Sequence, residues 1–251
     1  MITTLKLVER QIAMAEIRHR CEAISAQPGR YVTEDGIGFG PYLLVSRECG
    51  AGGSLLAQMA GDRLGWNVFD SKIVNEIAQA AHVHNRLVQS VDEHIHSIWE
   101  QTWREFLLEE LPDKRYLRHL RQVVLTLGHL GDVVLVGRGA QYFLPAPGGL
   151  RVRLVGPLEA RIQRVAHLDN ISIDLARAKV KEVDAERAAF IWKVFKKDVS
   201  SPLNHDIVIN TGEINFEIAT QIVLDLLQKK LGVKLPQKPG PVRQLHEINV
   251  P

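Results

Sequence analysis

Hydrophobic positions in the central part of the chain alternate between short continuous runs and helical periodicity. The runs lie at residues 42–46, 67–69, 133–136, 152–155 and 207–209. None shows the strict alternation of a half-exposed strand, so each predicts a strand that is buried on both faces, as in a parallel sheet. The segments between them carry apolar residues three and four positions apart, which predicts helices. This order of elements favours an α/β fold.

The two ends of the chain differ from this central part. Residues 1–40 combine an amphipathic pattern over 3–26 with a stretch rich in glycine and proline, which predicts an N-terminal helical extension and a linker. The apolar stripe of that helix is regular, so we expect it to dock on the domain or on a second subunit in a homodimer. Residues 41–232 form the predicted main domain. Residues 233–251 contain four prolines and predict a C-terminal tail.

Composition and charge narrow the class of protein. Hydrophobic residues make up 45% and charged residues 24% of the chain, as in ordinary soluble proteins. A net charge of +2 argues against nucleic acid as an obligate partner. With only Cys21 and Cys49, no disulfide framework is expected, which fits a reducing cytoplasm. No apolar run approaches the roughly 20 residues that span a bilayer, so we expect no membrane segment.

The stretch "YLLVSRECGAGGSLLA" at residues 42–57 joins a predicted strand to a predicted helix through a glycine-rich loop. A P-loop occupies this position, where backbone N–H groups and a helix N-terminus bind phosphate. On the template G-x-x-x-x-G-K-S/T, Gly52 supplies the second glycine and Ser54 the hydroxyl. Arg47 replaces the first glycine, and Gly53 replaces the lysine. A glycine-rich turn without a ligand is the alternative.

Two further polar residues follow predicted strands. Asp70 ends the second apolar run, and Arg138 lies between Gly137 and Gly139 after the third. The carboxyl ends of parallel strands share one ligand-binding edge, so both side chains are expected there. Asp70 is equally suited to cap the helix that follows it. Arg138 offers a fork for phosphate or a base edge, and a structural role between turn glycines is its alternative.

The segment at residues 151–197 is cationic, with eleven Lys and Arg against six Asp and Glu. Arg161 and Arg164 are three positions apart, as are Asp184 and Arg187, so each pair shares one helix face. A cationic helical segment between the last two strands suits a lid that closes over phosphates, at about residues 157–200. A solvated charged face is the alternative.

Four histidines raise the question of a metal site. They are His82, His84, His94 and His96. Each pair is spaced i,i+2, which does not place two side chains on one helix face. No cysteine or acidic cluster completes a zinc site, so we do not expect metal binding there.

Three stretches together resemble the cytidylate kinase-like family, a branch of the nucleoside monophosphate kinase P-loop fold. They are "SRECGAGGSLLAQMAGDRLGWNVFDSKIVNEIA", "VVLVGRGAQYFL" and "DIVINTGEINFEIA". The resemblance covers about residues 42–231. True cytidylate kinases have lysine where this chain has Gly53, and aspartate where it has Gly139. The family's Arg-x-x-Arg and Asp-x-x-Arg motifs match the two pairs in the predicted lid.

The resemblance implies a three-layer P-loop kinase fold with a five-stranded parallel sheet flanked by helices. It also implies a helical monophosphate-binding insert at about residues 70–130 and a helical lid. The implied activity is phosphoryl transfer from ATP, with Mg²⁺, to a nucleoside monophosphate such as CMP or dCMP. A non-catalytic nucleotide-binding module and a small-molecule kinase with another acceptor are the alternatives.

The resemblance also implies roles for individual residues. The donor phosphates would be held by the loop, Gly50, Ala51, Gly52, Gly53, Ser54 and Leu55, and Ser54 would also hold Mg²⁺. Arg161 and Arg164 would lie over the γ-phosphoryl group. The acceptor would be bound by Asp70, Arg138, Asp184 and Arg187.

Arg47 is the residue expected to compensate for the missing lysine. It starts at the other end of the same loop, and its side chain is long enough to fold back over the donor phosphates. The guanidinium group is a planar fork that can bridge two oxygens. In the alternative, Arg47 pairs with Glu48 or another carboxylate and only shapes the turn.

Overall fold

A five-stranded parallel sheet forms the centre of the computed structural model, which describes residues 29–34, 36–74 and 114–236. In chain order, its strands are β3 (Tyr42–Arg47), β4 (Asn67–Phe69), β5 (Val133–Val136), β6 (Gly149–Val155) and β7 (Ile207–Asn210). They lie side by side in the order β4-β5-β3-β6-β7. All five predicted strands are confirmed, and β6 begins three residues earlier than predicted.

The helices lie on both faces of this sheet and at its edge. They are α1 (Gly53–Leu64), α2 (Lys114–Leu130), α3 (Ala140–Phe143), α4 (Leu158–Asp169), α5 (Ile173–Phe195) and α6 (Phe216–Leu231). Another helical turn occupies residues 71–74. Polar caps fix two of the starts, because Ser172 accepts from the amide of Leu175 and Asn215 from that of Ile218. The helices predicted for the lid are α4 and α5.

Two hydrophobic cores sandwich the sheet. One face packs against α1 and α6, with Leu56 and Leu224 completely buried there. The other packs against α2 and the end of α5, where Leu127 and Phe195 are buried. Central strands that are buried on both faces explain the continuous apolar runs in the sequence. The predicted three-layer fold with a parallel sheet is confirmed.

A small antiparallel hairpin precedes the sheet, in a stretch that the sequence predicts to be linker. Its strands are β1 (Tyr31–Val32) and β2 (Gly38–Phe39). Ile37 and Phe39 are buried in the core beside α2, and the Nδ1 atom of His129 lies 2.7 Å from the carbonyl oxygen of Gly38. Two-residue strands are too short for a periodic signal, so the sequence does not reveal them.

Several predictions fall outside the described residues. These are the helix at 3–26, the histidines between 82 and 96, most of the proposed monophosphate-binding insert, and the tail beyond residue 236. Within the described ranges, no helix combines the length and the hydropathy that a membrane span requires.

Candidate functional site

The loop between β3 and α1 needs glycine at two positions. Gly50 and Gly52 have φ angles of +78° and +80°, in the region where glycine is favoured. Space is also restricted. A Cβ atom on Gly50 would lie 2.5 Å from the carbonyl oxygen of Arg161, and one on Gly52 would lie 2.1 Å from the ring of Phe216. The lid and α6 therefore pack directly onto this loop.

The same loop presents a series of backbone amides. Within the described chain, five of these amides donate to no protein acceptor, namely those of Gly50, Gly52, Gly53, Ser54 and Leu55. Ala51 is buried, and its carbonyl accepts a hydrogen bond from Thr211 Oγ1 at 3.1 Å, which fixes the loop from below. These amides lie at the start of the first turn of α1, where the helix dipole favours negative charge. The arrangement suits a phosphate chain.

Arg161 braces this loop from the lid. Its Nη1 atom donates to the carbonyl oxygen of Cys49 at 3.0 Å and to Asp184 Oδ2 at 2.6 Å. Its Nε atom donates to Gly156 O at 2.9 Å and lies 3.2 Å from Glu48 Oε2. Asp184 completes the brace by accepting from the amide of Cys49 at 2.6 Å. A role for Arg161 over the γ-phosphoryl group remains a prediction and requires these contacts to open.

Arg164 makes similar contacts with the loop. Its Nη1 atom donates to the carbonyl oxygen of Gly50 at 2.5 Å, and Nη2 lies 3.5 Å from that of Thr211. Its guanidinium carbon lies 5.2 Å from the ring centroid of Phe216, in a cation–π contact. Burial lowers its pKa. In this state Arg164 binds backbone of the loop and packs on α6, and its proposed contact with the donor phosphates stays a prediction.

Cys49 ties the loop to the apolar interior of the lid. It packs in a small core with Ile162, Val165 and Val180 from α4 and α5. Burial raises the pKa of its thiol, which is the opposite of what an activated cysteine beside a helix N-terminus requires. Cys49 is therefore a packing residue in this loop.

A pocket of about 310 Å³ opens beside the loop, between the ends of β3 and β5, the helical turn at 71–74 and α5. Its lining includes basic, polar and aromatic side chains, namely Arg47, Ser71, Lys72, Arg138, Arg187 and Phe190. Four of these six carry positive charge, so the pocket is strongly electropositive. Glu186 is the acidic residue in its lining.

Arg47 crosses from the loop into this pocket. A Cβ atom on Gly53 would lie 2.6 Å from the Arg47 Cγ atom, so the side chain passes directly over Gly53. A Cβ atom on Gly137 would lie 2.1 Å from Nη1, and Nη2 donates weakly to Ser71 Oγ at 3.4 Å. Burial and the nearby charge of Arg187 lower the pKa of Arg47 to about 10. The guanidinium group ends between Gly137 and Ser71.

Arg138 also belongs to the pocket and sits in an unusual backbone segment. Gly137, Arg138 and Gly139 have φ angles of +82°, +54° and +68°. The Arg138 guanidinium lies 5.7 Å from the ring centroid of Phe190, and its buried Nε atom has no hydrogen-bond partner among the described residues. A Cβ atom on Gly139 would lie 2.3 Å from the ring of Phe195. The aspartate of true cytidylate kinases therefore has no room at this position.

The predicted acceptor residues are divided between the two regions. Arg187 lines the pocket, and its Nη1 atom donates to the carbonyl oxygen of Arg47 at 3.2 Å. Asp184 instead faces the loop and Arg161, so the two members of the motif contact different parts of the site. Asp70 caps the helical turn after β4, with Oδ1 accepting from the amides at 72 and 73 at 2.8 and 2.9 Å. Its carboxylate is also close enough to counter the shift in the pKa of Arg47.

The remaining charges of the lid face solvent. Lys193, Lys196 and Lys197 are exposed, which agrees with the alternative of a solvated face. Among the described residues, no three His, Cys, Asp or Glu side chains form a group that could hold a metal ion.

Comparison with known proteins places this geometry in a family. A cytidylate kinase from Methanobrevibacter smithii is 30% identical over 97 residues, which are 39% of this chain and 55% of that protein. One from Methanocaldococcus jannaschii is 31% identical over 105 residues, or 39% of this chain and 59% of that protein. The chain thus matches a little over half the length of these curated relatives.

A solved structure shares the fold of this chain, and a known protein family matches its sequence. An uncharacterized protein from Eubacterium ventriosum superimposes with a TM-score of 0.60 at 18% identity, covering 75% of this chain and 98% of that one. The Cytidylate kinase-like family matches residues 44–213, a range that contains the glycine-rich loop, the pocket arginines and the lid. This match extends over most of the chain, which therefore belongs to the cytidylate kinase-like family.

Proposed function

We propose that this protein transfers the γ-phosphoryl group of ATP to the phosphate of a nucleoside monophosphate, with CMP and dCMP as the expected acceptors. The observation that carries the proposal is the meeting of two anion-binding regions at one sheet edge. A loop with unpartnered amides lies directly beside an electropositive pocket. Membership of the cytidylate kinase-like family supports a nucleotide kinase.

The loop fits the donor. Its amides and the N-terminus of α1 suit a chain of phosphates, as they do in other P-loops. Ser54 is exposed on the same turn, and one hydroxyl is an adequate protein contribution because Mg²⁺ is usually held by few side chains together with substrate phosphates. Bound Mg²⁺ would neutralise charge on the β- and γ-phosphates.

The pocket fits the acceptor. Arg47, Arg138 and Arg187 offer guanidinium forks for a phosphate dianion, and Phe190 offers an apolar face for a base. An acceptor phosphate oxygen attacks the γ-phosphorus, the bond between that phosphorus and the β–γ bridging oxygen breaks, and ADP leaves. The attacking oxygen is already anionic, so no general base is needed and the residues act by alignment and charge.

A panel of acceptors tests the proposal. ATP and MgCl₂ are supplied with CMP, dCMP, UMP, AMP, GMP or phosphorylated small metabolites, and ADP formation is followed by a coupled assay. Turnover that is fastest with a pyrimidine monophosphate supports the proposal. Turnover only on a non-nucleotide would assign a small-molecule kinase instead. Arg177→Ala, which removes an exposed ion pair with Glu159, is the matched control and should retain full activity.

A non-catalytic nucleotide-binding module is the second candidate, because Gly53 leaves the loop without its lysine. The two candidates differ in one measurement. The binding module is selected if isothermal titration calorimetry detects binding of both ATP and CMP while no ADP forms over hours at high enzyme concentration. Turnover above the background of ATP hydrolysis selects the kinase.

A further inference from the structure

The side chain of Arg47 does not lie where the P-loop template leads one to expect it. Its backbone begins the loop, yet its guanidinium group ends between Gly137 and Ser71, inside the pocket. Donor phosphates held by the loop amides would lie on the α1 side. Arg47 therefore faces the space proposed for the acceptor.

The absence of a side chain at Gly53 makes this path possible. The Cβ, Cγ and Cδ atoms of Arg47 would lie 2.8, 2.6 and 3.0 Å from a Cβ atom on Gly53. Real Cβ atoms essentially never lie closer than 3.0 Å to such a neighbour, so the contacts with the Cβ and Cγ atoms cannot form without a shift. Any residue other than glycine at 53 therefore requires the side chain of Arg47, or the backbone that carries it, to shift.

The surroundings of the guanidinium group are those of an anion site. Arg187 and Arg138 both disfavour the charged form of Arg47, and Asp70 is the nearby carboxylate that favours it. Arg47 is half-buried, and among the described residues its side chain donates one long hydrogen bond, to the hydroxyl of Ser71. Clustered arginines with so little counter-charge are stabilised when a multivalent anion binds.

We propose that Arg47 binds the acceptor, and that its guanidinium group contacts the phosphate of the nucleoside monophosphate on the side that faces the loop. In the same proposal, the missing side chain at Gly53 leaves the gap through which the Arg47 side chain reaches the pocket. This inference rests on the proposed function. It replaces the expectation that Arg47 folds over the donor phosphates in the manner of the missing lysine. Because Arg47 begins in the donor loop, it would also fix the distance between donor and acceptor.

Ligand binding measured separately for each substrate tests the assignment. By calorimetry, Arg47→Ala should weaken CMP binding by roughly 10–100-fold, the range for a lost charged hydrogen bond, and change ATP binding by less than threefold. Binding of cytidine, which lacks the phosphate, should be unchanged. Arg47→Lys should recover part of the CMP affinity. A loss confined to ATP would overturn the inference and return Arg47 to the donor side.

Inorganic phosphate separates this inference from the proposed function. If the wild type binds phosphate in an Arg47-dependent manner but binds no nucleoside monophosphate, the kinase proposal fails while the anion role of Arg47 stands in a reduced form. If the wild type binds CMP and Arg47→Ala binds it equally well, the inference fails and the kinase proposal stands. Absence of binding for both probes overturns both.

A double-mutant cycle tests the gap. Gly53→Ala should reproduce the loss of CMP affinity seen in Arg47→Ala, and the double variant should bind CMP no more weakly than either single variant. Gly53 does not have a positive φ angle and starts α1, where alanine is a good helix former. The substitution should therefore lower the thermal midpoint more when Arg47 is present than in the Arg47→Ala background, where only the contact with the Cβ atom of residue 47, at 2.8 Å, remains. If the losses in CMP affinity of the two single variants add in the double variant, the proposal that Gly53 acts by making room for Arg47 is wrong.

Discussion

Arginines on the two sides of the phosphate loop have opposite surroundings. On the lid side, Arg161 and Arg164 direct their donors to loop carbonyls and carboxylates of the protein. On the pocket side, Arg47 and Arg138 are half-buried, and the charges of Arg187 and Arg138 lie near Arg47. Among the described residues, the Arg138 Nε atom has no acceptor and the Arg47 side chain donates one long hydrogen bond. The first pair holds the loop in shape, whereas we propose that the second binds an external anion.

This difference shows that spacing along a helix does not reveal the partner of a charged side chain. Arg161 and Arg187 both lie in motifs of the predicted lid whose charged members are three positions apart, one with a second arginine and one with Asp184. The structure joins Arg161 to Asp184, across the two motifs, and leaves Arg187 for the pocket. Motifs with the same spacing can therefore contain arginines with different partners.

The largest effect is expected from removal of the brace. Arg161→Met leaves the Glu48 and Asp184 carboxylates without their partner in a mostly buried site, and should lower the free energy of unfolding by roughly 3–5 kcal/mol. Urea denaturation followed by circular dichroism measures it. Arg177→Met, which breaks an exposed ion pair on the same lid, is the control and should leave the midpoint unchanged. Equal midpoints for both variants would contradict the structural role that distinguishes Arg161 from the arginines of the pocket.

A substitution at Gly50 tests the close packing of lid and loop. Gly50→Ala combines a positive φ angle with a backbone carbonyl of α4 at 2.5 Å, and should cost about 2–4 kcal/mol of stability. Gly232→Ala is the matched control, since its φ is +66° but nothing lies within 4 Å of its Cβ position, so only about 1–2 kcal/mol is expected. Thermal unfolding should rank them in this order, and a reversed rank would contradict the brace.

Arg187 tests the pocket side. Arg187→Ala should raise the acceptor KM by about 10–100-fold, a lost charged contact, while the KM for ATP stays within about threefold. The stability of this variant should change little, because among the described residues the Arg187 side chain donates one hydrogen bond, to the carbonyl oxygen of Arg47. Equal effects on both substrates, or a large drop in the thermal midpoint, would move Arg187 to the structural group.

The smallest effect is expected at Asp70, which caps a helical turn and also lies near the charge of Arg47. Asp70→Asn keeps a capping oxygen for the turn at 71–74 and should leave stability nearly unchanged, whereas Asp70→Ala should lose about 1 kcal/mol. If Asp70 only balances Arg47, CMP binding should tighten slightly in Asp70→Asn. A large weakening would instead show that Asp70 binds the acceptor directly.

The sheet and its order of helices followed from the sequence, because buried parallel strands have a continuous apolar pattern that few other elements share. The bounds of β4 and β5 were predicted to the residue. The hairpin at 31–39 was not, since its strands are too short to carry a pattern. Its burial depends on packing against α2, which local sequence does not encode.

The site could be predicted in position but not in detail. The loop, Arg138 and the lid follow from strand ends and motif spacing. The direction of the Arg47 side chain does not, because it depends on the space left open at Gly53 and Gly137. The glycine at 139 is a departure from the family pattern in the sequence, and the structure supplies its causes, a positive φ angle and the close ring of Phe195.

The overlap between Arg47 and position 53 also constrains the order in which such a loop can evolve. From an ancestor with glycine at 47 and lysine at 53, arginine cannot take its present path while any side chain remains at 53. The lysine must be lost first, or the arginine must first be held in a different conformation. The first history passes through an intermediate with glycine at both positions, which lacks both charges, so a reconstruction of that intermediate should bind anions more weakly than either end point.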